Sequence, residues 1–147
     1  MIFWGRYERI NGIYRPYILA FVQSNKGEWV QYPFLIDTGA DETFLPYETV
    51  QDLDLDLTGI EVKDDVGGIG AQNVPYFKFK SGLKIIYGDS VRIFKGEINV
   101  FLDPHASDVP LLGRDVLDNF VVIFDRIKER ILLLDEEEEY LIKSLPG

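Results

Sequence analysis

A chain of 147 residues with 46% hydrophobic residues is long enough to bury one core. Its formal charge of −10 disfavours nucleic acid as a partner, because the phosphates would be repelled. The absence of cysteine excludes disulfides, cysteine zinc sites and thiol nucleophiles, and a single histidine argues against a histidine-rich metal site. We expect a single domain over residues 1–147, with its core over about 15–134 and an acidic tail over 135–147.

No apolar stretch approaches the roughly 20 residues that a membrane-spanning helix needs. The N-terminal residues also lack the basic region, long apolar run and cleavage site of a signal peptide. We therefore expect a cytoplasmic protein with no membrane partner.

Most of the predicted elements are strands, because short runs rich in β-branched, aromatic and aliphatic residues alternate with turn residues. The predicted strands cover residues 3–10, 15–23, 28–36, 60–66, 73–80, 83–87, 91–102, 120–125 and 131–134. The first of them is an additional N-terminal strand that could cover the fold or the cleft of an active site. The turn signal Ser24-Asn25-Lys26-Gly27 joins the second and third into a hairpin that leads to Asp37. The spacing predicts an all-β fold, barrel-like or sandwich-like, without an internal repeat.

Helix is predicted in one place, at residues 114–119, immediately after Pro110-Leu111-Leu112-Gly113. Residues 47–55 are either a short helix or an irregular excursion. The chain then closes with a second hairpin, residues 120–134, whose strands are more apolar than an exposed edge should be. We therefore expect this hairpin to form part of a dimer interface.

The segment with the clearest chemistry is Asp37-Thr38-Gly39-Ala40-Asp41, which directly follows an apolar strand. A buried carboxylate is rarely tolerated unless it is paired and hydrogen-bonded. Two carboxylates that share a proton supply an acid and a base at the same pH, which is how an aspartic protease activates water. No second copy exists in the chain, since Asp65-Val66-Gly67 lacks the hydroxyl and Asp89-Ser90 is followed by valine. We expect the site to be built from two copies of the chain.

Two further segments occur in a fixed order after this motif. The glycine-rich run Gly67-Gly68-Ile69-Gly70 comes first, and Leu111-Leu112-Gly113-Arg114 follows. With Asp37-Thr38-Gly39-Ala40 before them, the three segments resemble the retropepsin family, the single-domain aspartic proteases of retroviruses and their cellular relatives. The resemblance covers roughly residues 31–134, and the part after Gly113 is more similar to the cellular and retrotransposon proteins than to the compact viral enzymes.

This resemblance implies a retropepsin-like closed barrel or sandwich in a homodimer, with one short helix near the C-terminus and a glycine-rich flap hairpin. It also implies an aspartic endopeptidase, without metal or cofactor, in which a water activated between two Asp37 carboxylates attacks a bond of a peptide or protein substrate. The implied catalytic residues are Asp37, Thr38 and Gly39. The implied substrate-binding residues are Ala40, Asp41, Gly67, Gly68, Ile69 and Gly70. The implied structural supports are Leu111, Leu112, Gly113 and Arg114.

Individual roles follow from the same resemblance. Thr38 would hydrogen-bond across the subunit boundary, and Gly39 and Ala40 would let the substrate backbone approach closely. Asp41 would receive peptide backbone groups or pair with Arg114. A second hypothesis remains open, because a fold can persist after its chemistry is lost: a catalytically weak or inactive retropepsin-fold dimer that binds peptides or acts as a scaffold.

Overall fold

The structure is a computed structural model that describes residues 1–66 and 73–135. The described residues form ten strands and two short helices. The strands are β1 (Ile2–Ile10), β2 (Ile13–Gln23), β3 (Trp29–Ile36), β4 (Phe44–Leu45), β5 (Lys63–Val66), β6 (Val74–Tyr87), β7 (Ser90–Phe101), β8 (Leu111–Leu112), β9 (Val121–Asp125) and β10 (Arg130–Leu134). The helices are α1 (Thr49–Asp52) and α2 (Arg114–Leu117). The all-β prediction is confirmed.

The strands form one sheet that closes on itself. Their order is β5-β6-β7-β4-β8-β3-β2-β1-β10-β9, and an additional pairing joins β6 to β2 through Phe21↔Lys84 and Val22↔Leu83. This pairing closes the strands from β6 round to β2 into a barrel, as predicted. The core inside it is apolar, and the fully buried side chains include Val22, Phe34, Leu45, Val100 and Leu112.

Residues 73–80 and 83–87 were predicted as two strands, but they form the single strand β6. The residues between them do not turn the chain, since Ser81 pairs with Gly96 and Gly82 with Lys95 across the β6–β7 ladder. The small size of Ser81 and Gly82 instead allows neighbouring groups to approach the strand closely. A Cβ on Gly82 would lie 3.1 Å from the indole of Trp29, and the Ser81 hydroxyl donates to the carbonyl of Gln23 at 2.7 Å.

The N-terminal strand, which could from its sequence cover the fold or the cleft, is part of the sheet itself. β1 lies inside the sheet, between β2 and β10, with Arg6 paired to both Tyr17 and Arg130. Its turn into β2 is formed by Asn11 (φ 52°) and Gly12 (φ 78°), the left-handed pair that a tight hairpin requires.

The C-terminal hairpin is present, but part of its apolar surface is buried within the chain. Ile131 and Leu133 of β10 are fully buried in the hydrophobic core. β10 is also paired on both edges, with β1 and with β9. β9 pairs with β10 alone among the described residues, so its outer edge is free. Of the two strands of this hairpin, β9 is therefore the one whose edge a second copy of the chain could contact.

Both helices are a single turn of four residues, and neither is long or apolar enough to cross a membrane. α2 ends two residues before the predicted end at residue 119. α1 lies within the segment 47–55, for which a short helix and an irregular excursion were both possible. The described residues therefore contain two helices, whereas one was predicted.

The loop before β8 is anchored to the first hairpin through Asp108. The guanidinium of Arg15 donates to both Asp108 oxygens at 2.8 and 3.3 Å, and the amide of Asn11 donates to Oδ2 at 3.0 Å. These donors, Arg15 first, hold the pKa of Asp108 below its usual range. The loop continues to Pro110, whose carbonyl accepts from Leu35 of β3 at 2.8 Å.

We predict that Asp108→Asn lowers the free energy of unfolding at pH 7 by about 1 kcal/mol, a modest value because the pair is partly exposed. Because the pKa of Asp108 is lower in the folded than in the unfolded state, its ionised carboxylate stabilises the protein at pH values above the unfolded pKa of about 3.9. This stabilisation is lost as the pH falls through the folded-state pKa. Denaturant unfolding at several pH values should show the difference between the two proteins shrinking as the pH falls below the unfolded pKa. A difference that does not change with pH would contradict the ion pair, and Asp89→Asn, in the exposed turn between β6 and β7, is the control.

Candidate active site

Asp37 lies at the end of the barrel, one residue after β3. β3 pairs in parallel with β8 through Leu35↔Leu111 and Ile36↔Leu112, and the backbone N–H of Asp37 donates to the carbonyl of Leu112 at 3.1 Å. The Asp37 side chain is half-buried in the single chain, so it is not the buried carboxylate that its apolar strand suggested. Thr38 and Gly39 are exposed.

The loop after Asp37 turns back on the carboxylate. Gly39 donates its backbone N–H to Asp37 Oδ1 at 3.0 Å, and Ala40 donates to the carbonyl of Asp37 at 3.2 Å. A side chain that accepts from a backbone N–H two residues later defines an Asx turn. The loop thus fixes the direction of the Asp37 carboxylate through Oδ1.

The start of α2 supports the far side of this loop. The backbone N–H of Arg114 donates to the carbonyl of Ala40 at 2.8 Å, and that of Asp115 donates to Asp41 at 3.1 Å. The side chain of Arg114 also pairs with the Asp41 carboxylate, one of the two roles expected for Asp41. Both side chains are largely exposed, so this ion pair contributes little stability.

A second connection runs through Thr43 and Asp115, neither of which was predicted from the sequence to belong to the site. Asp115 accepts from the backbone N–H of Thr43 at 2.9 Å and from its hydroxyl at 2.7 Å. The same hydroxyl accepts from the N–H of Gly113 at 3.2 Å. Thr43 is 1% exposed, so these are well-shielded hydrogen bonds. The sequence offered one signal for this connection: Asp115 lies in the first turn of the predicted helix, and Thr43 directly precedes the buried residues of β4.

Gly113 lies where no side chain fits. A Cβ at this position would overlap the backbone carbonyl of Glu42 and lie 3.0 Å from the carbonyl oxygen of Ala40. Its neighbour Leu112 is fully buried in the core, and Leu111 is half-buried against Phe44 and Tyr76. The three residues together hold the loop and α2 in contact with the barrel.

The loop also contacts β6 and β7 through Glu42. Lys78 donates to both carboxylate oxygens of Glu42 at 3.0 and 3.1 Å, and the side-chain amide of Asn99 donates to Oε2 at 3.2 Å. The same amide of Asn99, which is 1% exposed, donates to the carbonyl of Thr43 at 3.0 Å. These contacts tie the loop to the strand that forms one arm of the predicted flap.

The predicted flap residues Gly67, Gly68, Ile69 and Gly70 lie outside the described residues. The two strands on either side of them are described: β5 pairs with β6 in antiparallel fashion through Lys63↔Tyr76 and Val66↔Val74. The Tyr76 hydroxyl donates to Asp65. Burial, followed by this contact with a carboxylate, raises the pKa of Tyr76 to about 12, so the phenol stays protonated as a donor.

Over residues 1–66 and 73–135 we find no cluster of three histidine or acidic side chains that could hold a metal ion. The chemistry visible at Asp37 is that of a carboxylate on a braced loop. A single half-buried carboxylate can act as a base toward water, and a second group is needed to polarise a carbonyl.

Comparison with solved structures shows which proteins this chain is similar to. A retropepsin-like aspartic protease from Rickettsia conorii is 26% identical, with a TM-score of 0.62 over 90% of this chain and 89% of that chain. EIAV protease in complex with the inhibitor HBY-793 is 25% identical, with a TM-score of 0.49 over 74% of this chain and 90% of that chain. No family model and no curated protein matches the chain.

The similarity to the Rickettsia protein extends over nearly the whole of both chains. The resemblance to the retropepsin-like family, first drawn from three short motifs, is confirmed. In general terms it supports a function of the aspartic-protease type.

We predict that Gly113→Ala destabilises the protein by about 3 kcal/mol, at the upper end of the range for an overpacked site, because the added methyl meets backbone and not a movable side chain. Thermal or denaturant unfolding measures this cost. Gly96→Ala is the matched control, because a Cβ at Gly96 has nothing within 4 Å. Equal stability of the two variants would show that the α2 contact does not constrain the loop.

Proposed function

We propose that two copies of this chain form an aspartic endopeptidase in which the two Asp37 carboxylates face each other across a two-fold axis. The observation that carries the proposal is the Asp37 loop itself: a half-buried carboxylate, oriented by Gly39 and braced by α2, at the end of a retropepsin-like barrel. The chain contains a single Asp-Thr-Gly sequence, so a second carboxylate of the same kind has to come from another copy.

In this mechanism one carboxylate of the pair is ionised and the other holds a proton, because two close negative charges are unfavourable. The ionised Asp37 removes a proton from water as the water oxygen bonds to the scissile carbonyl carbon. The protonated carboxyl of the partner's Asp37 gives its proton to the carbonyl oxygen, and a gem-diol forms. When the C–N bond breaks, the Asp37 that took the proton from water gives it to the amide nitrogen, and a gem-diol hydroxyl gives its proton to the partner's Asp37, so the pair returns to its starting state.

The remaining site residues have roles in this proposal that follow from their positions. Thr38 is exposed beside Asp37 and is available to hydrogen-bond to the second loop. Gly39 and Ala40 leave room for an extended substrate backbone, and Asp41 is accessible to its N–H groups. Gly67, Gly68, Ile69 and Gly70 would close over the substrate from the hairpin of β5 and β6.

The competing proposal is a peptide-binding or scaffold dimer with the same fold and little turnover. It predicts binding of extended peptides without hydrolysis. The two proposals differ in one measurable respect, which is whether Asp37 changes the rate of peptide cleavage.

We predict that the wild-type chain cleaves a fluorogenic peptide library at acidic pH, and that Asp37→Asn lowers kcat by about 100-fold or more, the usual contribution of a general acid–base. Asp89→Asn, the same chemical change at an exposed turn, should leave kcat unchanged. Absence of wild-type cleavage at every pH from about 3 to 7 would support the scaffold proposal. Undiminished cleavage by Asp37→Asn would place the catalytic group elsewhere.

We also predict that the dimer depends on the free edge of β9. Val121 and Phe124 of this strand are 44% and 42% exposed, which is unusual for large apolar side chains on an unpaired edge. Phe124→Lys should shift sedimentation at micromolar concentration toward the monomer and reduce cleavage, whereas Ile127→Lys, at a turn position that is 95% exposed, should do neither.

A mixing experiment tests the shared site independently of the interface. If each active site needs two Asp37 carboxylates, adding Asp37→Asn chain to wild-type chain should suppress activity as subunits exchange. Activity that depends on the amount of wild-type chain alone, or a wild-type monomer that cleaves peptides, would contradict the shared site.

A further inference from the structure

One edge of β7 is left open by the sheet. β7 pairs with β6 along its whole length, from Tyr87↔Ser90 to Tyr76↔Phe101. On its other side, β4 pairs with Asn99 and Val100 only. Over the part of the chain that the structure describes, residues 91–97 of β7 therefore have no strand on that side.

The direction of the backbone groups on this edge follows from one hydrogen bond. The backbone N–H of Asn99 donates to the carbonyl of Thr43, on the β4 side, at 3.3 Å. Because backbone groups alternate along a strand, the N–H and C=O groups of Ile93, Lys95 and Glu97 point to the same side. Unpaired groups in such a row are a template for another strand.

A groove of about 430 Å³ lies along this edge. We call it the edge groove; it is bounded by residues 93–98 of β7 on one side and by Thr43, Asp115 and Val116 on the other. The side chains of Leu83 and Ile98, which also line it, are buried and apolar. The hydrogen bonds between Thr43 and Asp115 hold the second wall in place, so the edge groove is preformed.

The side chains of the edge indicate what kind of strand would fit. Lys95 and Glu97 are exposed on the outer face, and neither forms an ion pair with another described residue. Ile93, on the same face, is 46% exposed. An antiparallel strand would place a basic residue opposite Glu97, an acidic residue opposite Lys95 and an apolar residue opposite Ile93. Its intervening residues would face the apolar side chains of the edge groove.

We propose that the edge groove binds an extended segment of a partner polypeptide as an additional antiparallel strand. From its N-terminus the segment would read basic, apolar, acidic, apolar, apolar. Main-chain hydrogen bonds to Ile93, Lys95 and Glu97 would supply much of the affinity, and the two charges would set register and direction. The site is separate from Asp37 and does not depend on peptide hydrolysis.

A second copy of β7 fits the edge groove less well than a separate segment does. Pairing of Lys95 with Glu97 of a second copy would centre the contact on Gly96. Residue 93 of that copy would then lie opposite Asn99, where β4 already pairs. The overlap limits such a contact to about three residues, which is too short for a stable pairing.

The test measures binding to the full chain carrying Asp37→Asn, so that no hydrolysis interferes. Two fluorescent peptides of identical composition serve as probes: one contains Lys-Val-Glu-Val-Ile and the other the charge-exchanged Glu-Val-Lys-Val-Ile. The first should bind about tenfold more tightly, because two favourable cross-strand pairs replace two like-charge pairs. Equal affinity of the two peptides, or no binding at millimolar concentration, would overturn the proposal.

Two substitutions at one position separate the backbone from the charge. Lys95→Pro removes an outward N–H without removing a bond to β6, and it should weaken binding by about tenfold or more. Lys95→Ala keeps the N–H and should weaken binding only about threefold. Equal losses in the two variants would contradict strand addition.

A third variant keeps the test decisive if Lys95→Pro does not fold. The double variant Lys95→Glu and Glu97→Lys retains the backbone and exchanges the charges, so it should prefer the charge-exchanged peptide. An unchanged preference would overturn the proposed register. Peptide binding that competes with self-association of the chain would assign the edge groove to a second copy instead.

Discussion

The packing of Gly113 against the carbonyl of Glu42 is the constraint on which the candidate site depends. Since no side chain fits between them, α2 starts close enough for its first N–H groups to bond the carbonyls of Ala40 and Asp41. The Thr43–Asp115 hydrogen bonds then lock the end of the loop to the same helix. A carboxylate can be held in one direction only if the backbone around it is fixed in this way. These contacts are all made within one chain, without a second subunit or a substrate.

The parts of the fold that could be predicted from the sequence are those set by local chemistry. The hairpin of β2 and β3 follows from a strong turn signal between two apolar runs, and the sequence Asn11-Gly12 is an equally clear signal for the hairpin of β1 and β2. The parallel pairing of β3 with β8 could not be predicted from local pattern, because only two pairs of residues form it and the partners lie 76 positions apart in the chain. The same applies to the continuity of β6, where Ser81 and Gly82 look like a turn but serve a close approach of Trp29.

The residues of the candidate site also fall into those that the sequence predicted and those that it did not. Asp37, Gly39 and Gly113 were predicted because a carboxylate and small residues in this fixed order form a recognisable pattern along the chain. Thr43, Asp115 and Glu42 were missed, since a threonine or an acidic residue is informative only when its partner is known. Charged and hydroxyl side chains are common on surfaces, and only burial, as for Thr43, distinguishes those that hold a structure together.

The position of β1 inside the sheet determines how the C-terminal hairpin is used. β10 is paired on both edges within its own chain, whereas β9 and part of β7 keep an edge that is available to other polypeptides. Self-association through β9 would complete the active site, while strand addition at β7 would bind a partner at a separate site. The proposed mechanism requires that two Asp37 carboxylates meet. In a crystal structure at acidic pH we predict carboxylate oxygens of the two subunits about 3 Å apart. Carboxylates that are separately solvated and too distant to share a proton or a bridging water would contradict it.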